Sequence, residues 1–270
     1  MTRKDPELRL PPADLFLMRA RRLEQLSEGH ALGDYLRFVA RLAHAQQAAL
    51  DAGPAGEPPA ADRLAQCREY QMPPLAPAGL ALPAGWRDTA RQLAQAVKSG
   101  LPAPGQTALE PILSGEDAWL DAQAVQLFEG HTQALDAAIA PVIGAALQVH
   151  WSHLARQLHP AQVARPEHPN LCPVWHCTLC NSEWHVVRAK CSNCDNTRDI
   201  ACYHLEGKDR LVQAESCPEC QTYLKVIHQE KDPQADPVAD DLATLTLDLL
   251  MDEAGFARSG INWYLIHGPA

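Results

Sequence analysis

Across residues 1–165 the apolar positions recur at helical spacing. Leu36, Val39, Ala43, Gln46 and Leu50 step by 3, 4, 3 and 4, one helix face that is apolar except for Gln46. Trp86, Ala90, Leu93 and Val97 step by 4, 3 and 4, with Gly100 as the stop. A helix fits Asp14 to Glu28, ended by Gly29, and Gly33-Asp34 opens the next with Asp34 as its cap. A short helix fits Asp62–Tyr70, and longer ones fit 116–129 and 132–158, the last with a kink or split at Pro141. The Pro- and Gly-rich runs at 51–60 and 72–85 break these helices apart.

Beyond residue 165 the pattern changes. Short stretches of strand character occupy Trp184–Arg188, Ile200–Leu205, Leu211–Gln213 and Tyr223–Ile227. They hold too few apolar residues for a self-sufficient core, a deficit that bound metal commonly offsets. A last helix fits Ala239–Ala254, with Leu242, Leu245 and Leu249 on its packing face and Gly255 as the cap. The expected fold is α+β: a helical body over 1–165, a cysteine-rich β module over 166–231, and a C-terminal helix and tail over 232–270.

Composition narrows the function classes. The 23 Lys and Arg against 33 Asp and Glu give a net charge of −10, a poor match to phosphate surfaces. Residues 170–231 carry seven basic and eight acidic side chains, so a nucleic-acid-binding ribbon is not expected either. The first residues lack an apolar secretory segment, and the apolar run from Leu135 to Val149 is too short to cross a bilayer. A cytoplasmic protein without stable membrane insertion is the expectation. No nucleophile elbow, phosphate loop or metalloprotease helix occurs, so an enzyme is not expected.

The chemistry sits in the cysteines, of which eight of nine fall between Cys172 and Cys220. Three C-x-x-C pairs are complete: Cys177/Cys180, Cys191/Cys194 and Cys217/Cys220. The 22 residues between the second and third pairs suit knuckle, hairpin, knuckle, so Cys191, Cys194, Cys217 and Cys220 are expected to form one four-thiolate site. Iron and zinc both suit four thiolates. Cys177 and Cys180 lack a full partner set. Cys172, with His176 and His185 nearby, offers three cysteines completed by His or water, and an empty or labile site is the alternative. A thioredoxin-like pair would sit at a helix N-terminus, which three pairs in a β module do not suit. The residue after each pair favours a left-handed backbone; Asn181 and Asp195 fit that demand better than Gln221. Cys67 and Cys202 read as small buried residues, and Asp240-Asp241 as the capping charges of the last helix.

Several segments in order resemble the formate dehydrogenase accessory protein family, FdhE. They are LFLMRARRLEQLSEGHALGDYLRFVARLAHAQ, IAPVIGAALQVHWSHLA, CTLCNSEWHVVRAKCSNC, SCPECQTYLKV and VADDLATLTLDLLMDEAGFARSGIN. The resemblance implies a cytoplasmic maturation factor for respiratory formate dehydrogenase that contacts the enzyme's catalytic subunit. It also implies rubredoxin-like metal modules, with iron associated, and leaves room for a homodimer. The alternative it allows is a rubredoxin-like redox protein that acts on or protects that enzyme. One departure stands out: the family has four C-x-x-C pairs, whereas here Cys172-Pro173-Val174 runs directly into WHCTLC. The second cysteine of the first pair and its hairpin are missing, and one of two metal sites is left short of a ligand.

Overall fold

In the computed structural model, the helical body runs from Leu15 to Arg156, and two small sheets are built mostly from residues beyond 173. The residues described are 8–54, 56–70, 74–77, 81–130, 135–136, 138–158, 174–185, 190–206 and 210–265. The helices are α1 (Leu15–Ser27), α2 (Gly33–Asp51), α3 (Ala61–Glu69), α4 (Trp86–Lys98), α5 (Ala103–Ala108), α6 (Glu110–Ser114), α7 (Asp117–Phe128), α8 (Ala140–Arg156), α9 (Pro237–Leu242) and α10 (Leu245–Glu253). The strands are β1 (Leu8–Arg9), β2 (Val174–His176), β3 (Glu183–His185), β4 (Ala201–Tyr203), β5 (Val212–Cys217), β6 (Thr222–Ile227) and β7 (Ala257–Arg258).

The stepped apolar faces become the core. Leu36, Val39, Ala43, Gln46 and Leu50 are all buried on α2, as are Trp86, Ala90, Leu93 and Val97 on α4. The exception, Gln46, is satisfied inside: its amide donates to the Ala145 carbonyl at 2.9 Å and to Gln148, and it accepts from the Tyr264 hydroxyl. Helix α8 is apolar nearly all round and is buried nearly all round between α2, α4 and α7. Pro141 does not kink it. It lies in the first turn, where its missing N–H costs no helical bond. The part of the expected 132–158 helix at 132–134 and 137 falls outside the described residues. Asp34 is not the cap of α2, which starts one residue earlier at Gly33.

Two small sheets follow. One runs β1-β3-β2, all antiparallel, with Trp175 opposite Trp184. The other runs β4-β5-β6-β7, antiparallel except for β6 and β7. Its apolar centre is small: Val212, Ala214 and Tyr223 from the sheet, and Leu247 and Met251 from α10. The C-terminal helix is two helices, broken at Ala243-Thr244. Leu242 is fully buried and Leu245 half-buried, but Leu249 is 65% exposed, so the expected packing face fails at its last position. Leu247 and Met251 pack in its place, because the break at Ala243-Thr244 ends the single helical phase on which the 242, 245, 249 face was counted. Gly255 follows at φ +84°, a left-handed residue past the end of α10.

Among the described residues no helix is long and apolar enough to cross a membrane.

Candidate metal centre

Each complete C-x-x-C pair forms the same knuckle. In the first, Asn181 N donates to the Cys177 carbonyl and Cys177 N to the Ser182 carbonyl. In the second, Asp195 N donates to Cys191 and Cys191 N to Asn196. The third closes the β5–β6 hairpin, with Cys217 opposite Thr222. The residue after each pair is left-handed, at φ 56°, 63° and 53° for Asn181, Asp195 and Gln221. Gln221 adopts this conformation as well as the two better-suited residues, because the hairpin register imposes it.

The second and third knuckles meet. The sulfurs of Cys191, Cys194, Cys217 and Cys220 all lie within 4.8 Å of one another. Cys191 Sγ is 3.6 Å from Cys220 Sγ, and Cys194 Sγ is 3.6 Å from Cys217 Sγ. A disulfide would need about 2.05 Å. A tetrahedron with metal–sulfur bonds of about 2.3 Å has edges of about 3.8 Å, so this donor set fits a four-thiolate ion.

Polar groups around the sulfurs suit thiolates. Asn193 N points at Cys191 Sγ at 3.4 Å, and the Asn196 amide donates to Cys217 Sγ at 3.5 Å. The Thr222 hydroxyl lies 3.1 Å from Cys220 Sγ, and hydrogen bonding from Thr222 holds the Cys220 thiol down to about 6. Such outer partners orient ligands and tune the charge on them. Asn196 and Thr222 were missed from the sequence. The signal was their position, each two residues after the second cysteine of a knuckle.

The first knuckle goes elsewhere. Leu179 and Cys180 are buried in the core of the helical body. Gln148 on α8 donates to the Thr178 carbonyl at 2.6 Å. Asn181 donates to Ser152 Oγ at 2.8 Å and accepts from Arg19 Nη2 at 2.9 Å. A hydrogen bond from Cys180 holds the Cys177 thiol down to about 6, and the same bond, with burial, pushes Cys180 up. Cys172 and the side chain of His185 lie outside the described residues. Cys67 is buried as expected, but Cys202 is exposed on β4, because that strand is the edge of its sheet and turns it to solvent.

Buried charge joins the ribbon to the rest. Lys225 on β6 reaches Asp248 at 2.5 Å and Asp241 at 3.2 Å, and Arg258 pairs with the same two carboxylates at 2.9 and 2.6 Å. Asp240 is 2.6 Å from Arg22 on α1. Asp240 keeps part of the expected capping role, because it also accepts from Asp236 N at 2.8 Å in the first turn, whereas Asp241 is spent on Lys225 and Arg258. Asp236 is the cap, accepting from Val238 N and Ala239 N while Arg19 Nε holds it at 3.0 Å. The two adjacent carboxylates face opposite ways, one to the helical body and one to the ribbon.

Comparison with known proteins places this arrangement. The family models for the FdhE N-terminal region and the FdhE C-terminal domain match residues 5–168 and 189–265. The chain belongs to the FdhE family. An FdhE homologue of Pseudomonas aeruginosa is 39% identical, with 97% of this chain and 94% of that relative covered. One from Cronobacter sakazakii is 38% identical over 94% of this chain and 89% of the relative. The crystal structure of the FdhE protein from Pseudomonas aeruginosa superposes with a TM-score of 0.83 at 39% identity, covering 98% of this chain and all of that one. The FdhE alignment to the Pseudomonas aeruginosa relative spans 293 positions, more than the 270 residues here, so the relative carries residues that this chain lacks. The two FdhE family models leave 169–188 unmatched between them, the stretch that holds Cys172, Cys177 and Cys180.

Proposed function

We propose that this FdhE-family chain is a cytoplasmic accessory factor for maturation of respiratory formate dehydrogenase and that it binds the enzyme's catalytic subunit. The observation that carries the reading is the family match along nearly the whole chain. Cys191, Cys194, Cys217 and Cys220 would hold one iron or zinc ion, which would supply a rigid cross-link between two knuckles. The chain's own residues then do the positioning. Lys225 and Arg258 seat the ribbon on α9 and α10, and Arg19 and Arg22 seat α9 on α1. The division at 165/166 and 231/232 belongs to the same proposal, with the first knuckle docked on the helical body.

A second reading, a rubredoxin-like redox protein acting on that enzyme, has one observation in its favour: Cys194 is exposed, so the four-sulfur cluster lies at the surface. It requires iron that changes oxidation state, which zinc cannot do. The test is co-purification of the chain with a tagged catalytic subunit under anaerobic conditions, together with visible absorbance before and after reduction. Recovery without bleaching supports the accessory reading, bleaching supports the redox reading, and no recovery contradicts the first.

A further inference from the structure

A cleft of about 550 Å³ lies where β1, one face of α1 from Leu15 to Gln25, the first knuckle and the loop 229–237 converge. That volume falls in the range of roughly 300–1,000 Å³ typical of ligand pockets, which favour junctions between parts of a fold. Its floor is already matched. Arg22 is paired with Asp232 and Asp240, and Asp236 accepts from Arg19 and two backbone amides. These pairs fix the shape and leave no cation cluster for a nucleotide or free phosphate.

The walls and rim are not matched. His176 is 11% exposed and gives Nδ1 to Glu183, and its buried Nε2 has no hydrogen-bond partner. Gln25 uses only its oxygen and Gln229 only its amide nitrogen, so each keeps one half of an amide group spare. Arg21, exposed on α1, forms no ion pair among the described residues. Between these polar groups runs an apolar strip from Leu15 to Met18, and Met18 is 46% exposed.

We propose that this cleft binds an extended peptide segment in which an acidic side chain stands next to an apolar one. Spare amide donors and acceptors match backbone C=O and N–H groups, which no small anion presents in series. The thioether of Met18 adapts to an apolar side chain. Among the described residues lining the cleft, Arg21 supplies the one positive charge without an ion pair, and a carboxylate is its complement. The proposal rests on the partner reading above, with the catalytic subunit as the source of the segment. The cleft touches the helical body, the first knuckle and the C-terminal loop at once, so an occupant contacts all three.

The test uses the full metal-loaded chain and purified catalytic subunit. A photo-crosslinking phenylalanine analogue replaces Met18 in one sample and Val125, exposed on α7, in another. Binding is titrated for wild type and for the double variant Met18→Asp, Arg21→Glu, with melting temperature and metal content as folding controls. The expected result is a crosslink from position 18, not 125, to one acidic-apolar segment, and binding about tenfold weaker in the variant with controls unchanged. Equal binding by wild type and variant, with no crosslink from position 18, overturns the cleft and leaves the partner reading standing. A synthetic peptide library screened in parallel separates the other failure. If wild type ignores the subunit but selects acidic-apolar peptides that the variant does not, the partner reading falls and the cleft stands. If neither is bound, the cleft falls too.

Discussion

The first knuckle and the ribbon share one local geometry and are held in opposite ways. Around Cys177–Cys180 the knuckle is set into the helical body by Leu179, Cys180 and the bonds of Asn181 to Ser152 and Arg19. Around Cys191–Cys194 and Cys217–Cys220 the apolar support is thin, and four sulfurs converge instead. A C-x-x-C pair thus specifies a turn. Whether the turn becomes a ligand site depends on what the rest of the chain brings to it.

The largest expected effect separates the two. Removing metal should withdraw on the order of 10–16 kcal/mol of binding energy from the ribbon alone. Hydrogen exchange after chelation should show β5 and β6 amides losing protection while α1, α2 and Asn181 keep theirs. Loss of protection in both regions would mean that the first knuckle also depends on metal.

Next in size is the charge network that seats the ribbon. Asp248→Ala leaves Lys225, 3% exposed, with one carboxylate for two cations, at a cost of about 3–5 kcal/mol in urea unfolding. The seat, not the metal, is then at fault, so metal content should hold.

The converse probe is Asn181→Ala, which strips partners from Ser152 and from one nitrogen of Arg19 and should cost about 1–3 kcal/mol. Metal content should again stay as in wild type, because the variant touches only the first knuckle.

These contrasts also mark what the sequence could say. Helical stepping on α2 and α4 placed their cores correctly, because one-sided burial demands that period. The cysteine spacing pointed to the four sulfurs that lie together, because a knuckle, hairpin, knuckle order suits the 22-residue gap. The strands β1 and β2 and the helices α5 and α6 were not expected, since two- to six-residue elements carry too little pattern to read. The split of the last helix and the partners of Asp240 and Asp241 were also invisible. The partners are Arg22, more than two hundred residues away, and Arg258 and Lys225 on β7 and β6, and two adjacent carboxylates carry no sign of which cations the fold will bring to them.

The smallest effect is expected in mild acid. Burial alone would raise the pKa of Asp236, but Arg19 more than offsets it; Asp241 is likewise held low, by Lys225 and Arg258 against burial. Groups with depressed folded-state pKa values contribute stability above the unfolded value of about 4 and lose it as pH falls further. Asp240, raised overall by burial despite Arg22, runs the other way and favours acid. Unfolding monitored from pH 6 to 3 should therefore show a gradual loss of stability below about pH 4, and a gain there would contradict these assignments.

The central claim is that four cysteines of the ribbon hold one ion while the first knuckle stands on packing. X-ray absorption with metal quantification on wild type, Cys217→Ser and Cys180→Ser tests it most directly. The account predicts four sulfur ligands at about 2.3 Å in wild type, loss of that ion in Cys217→Ser and its retention in Cys180→Ser. A wild-type chain without a four-sulfur ion, or one that keeps the ion after Cys217→Ser, would contradict it.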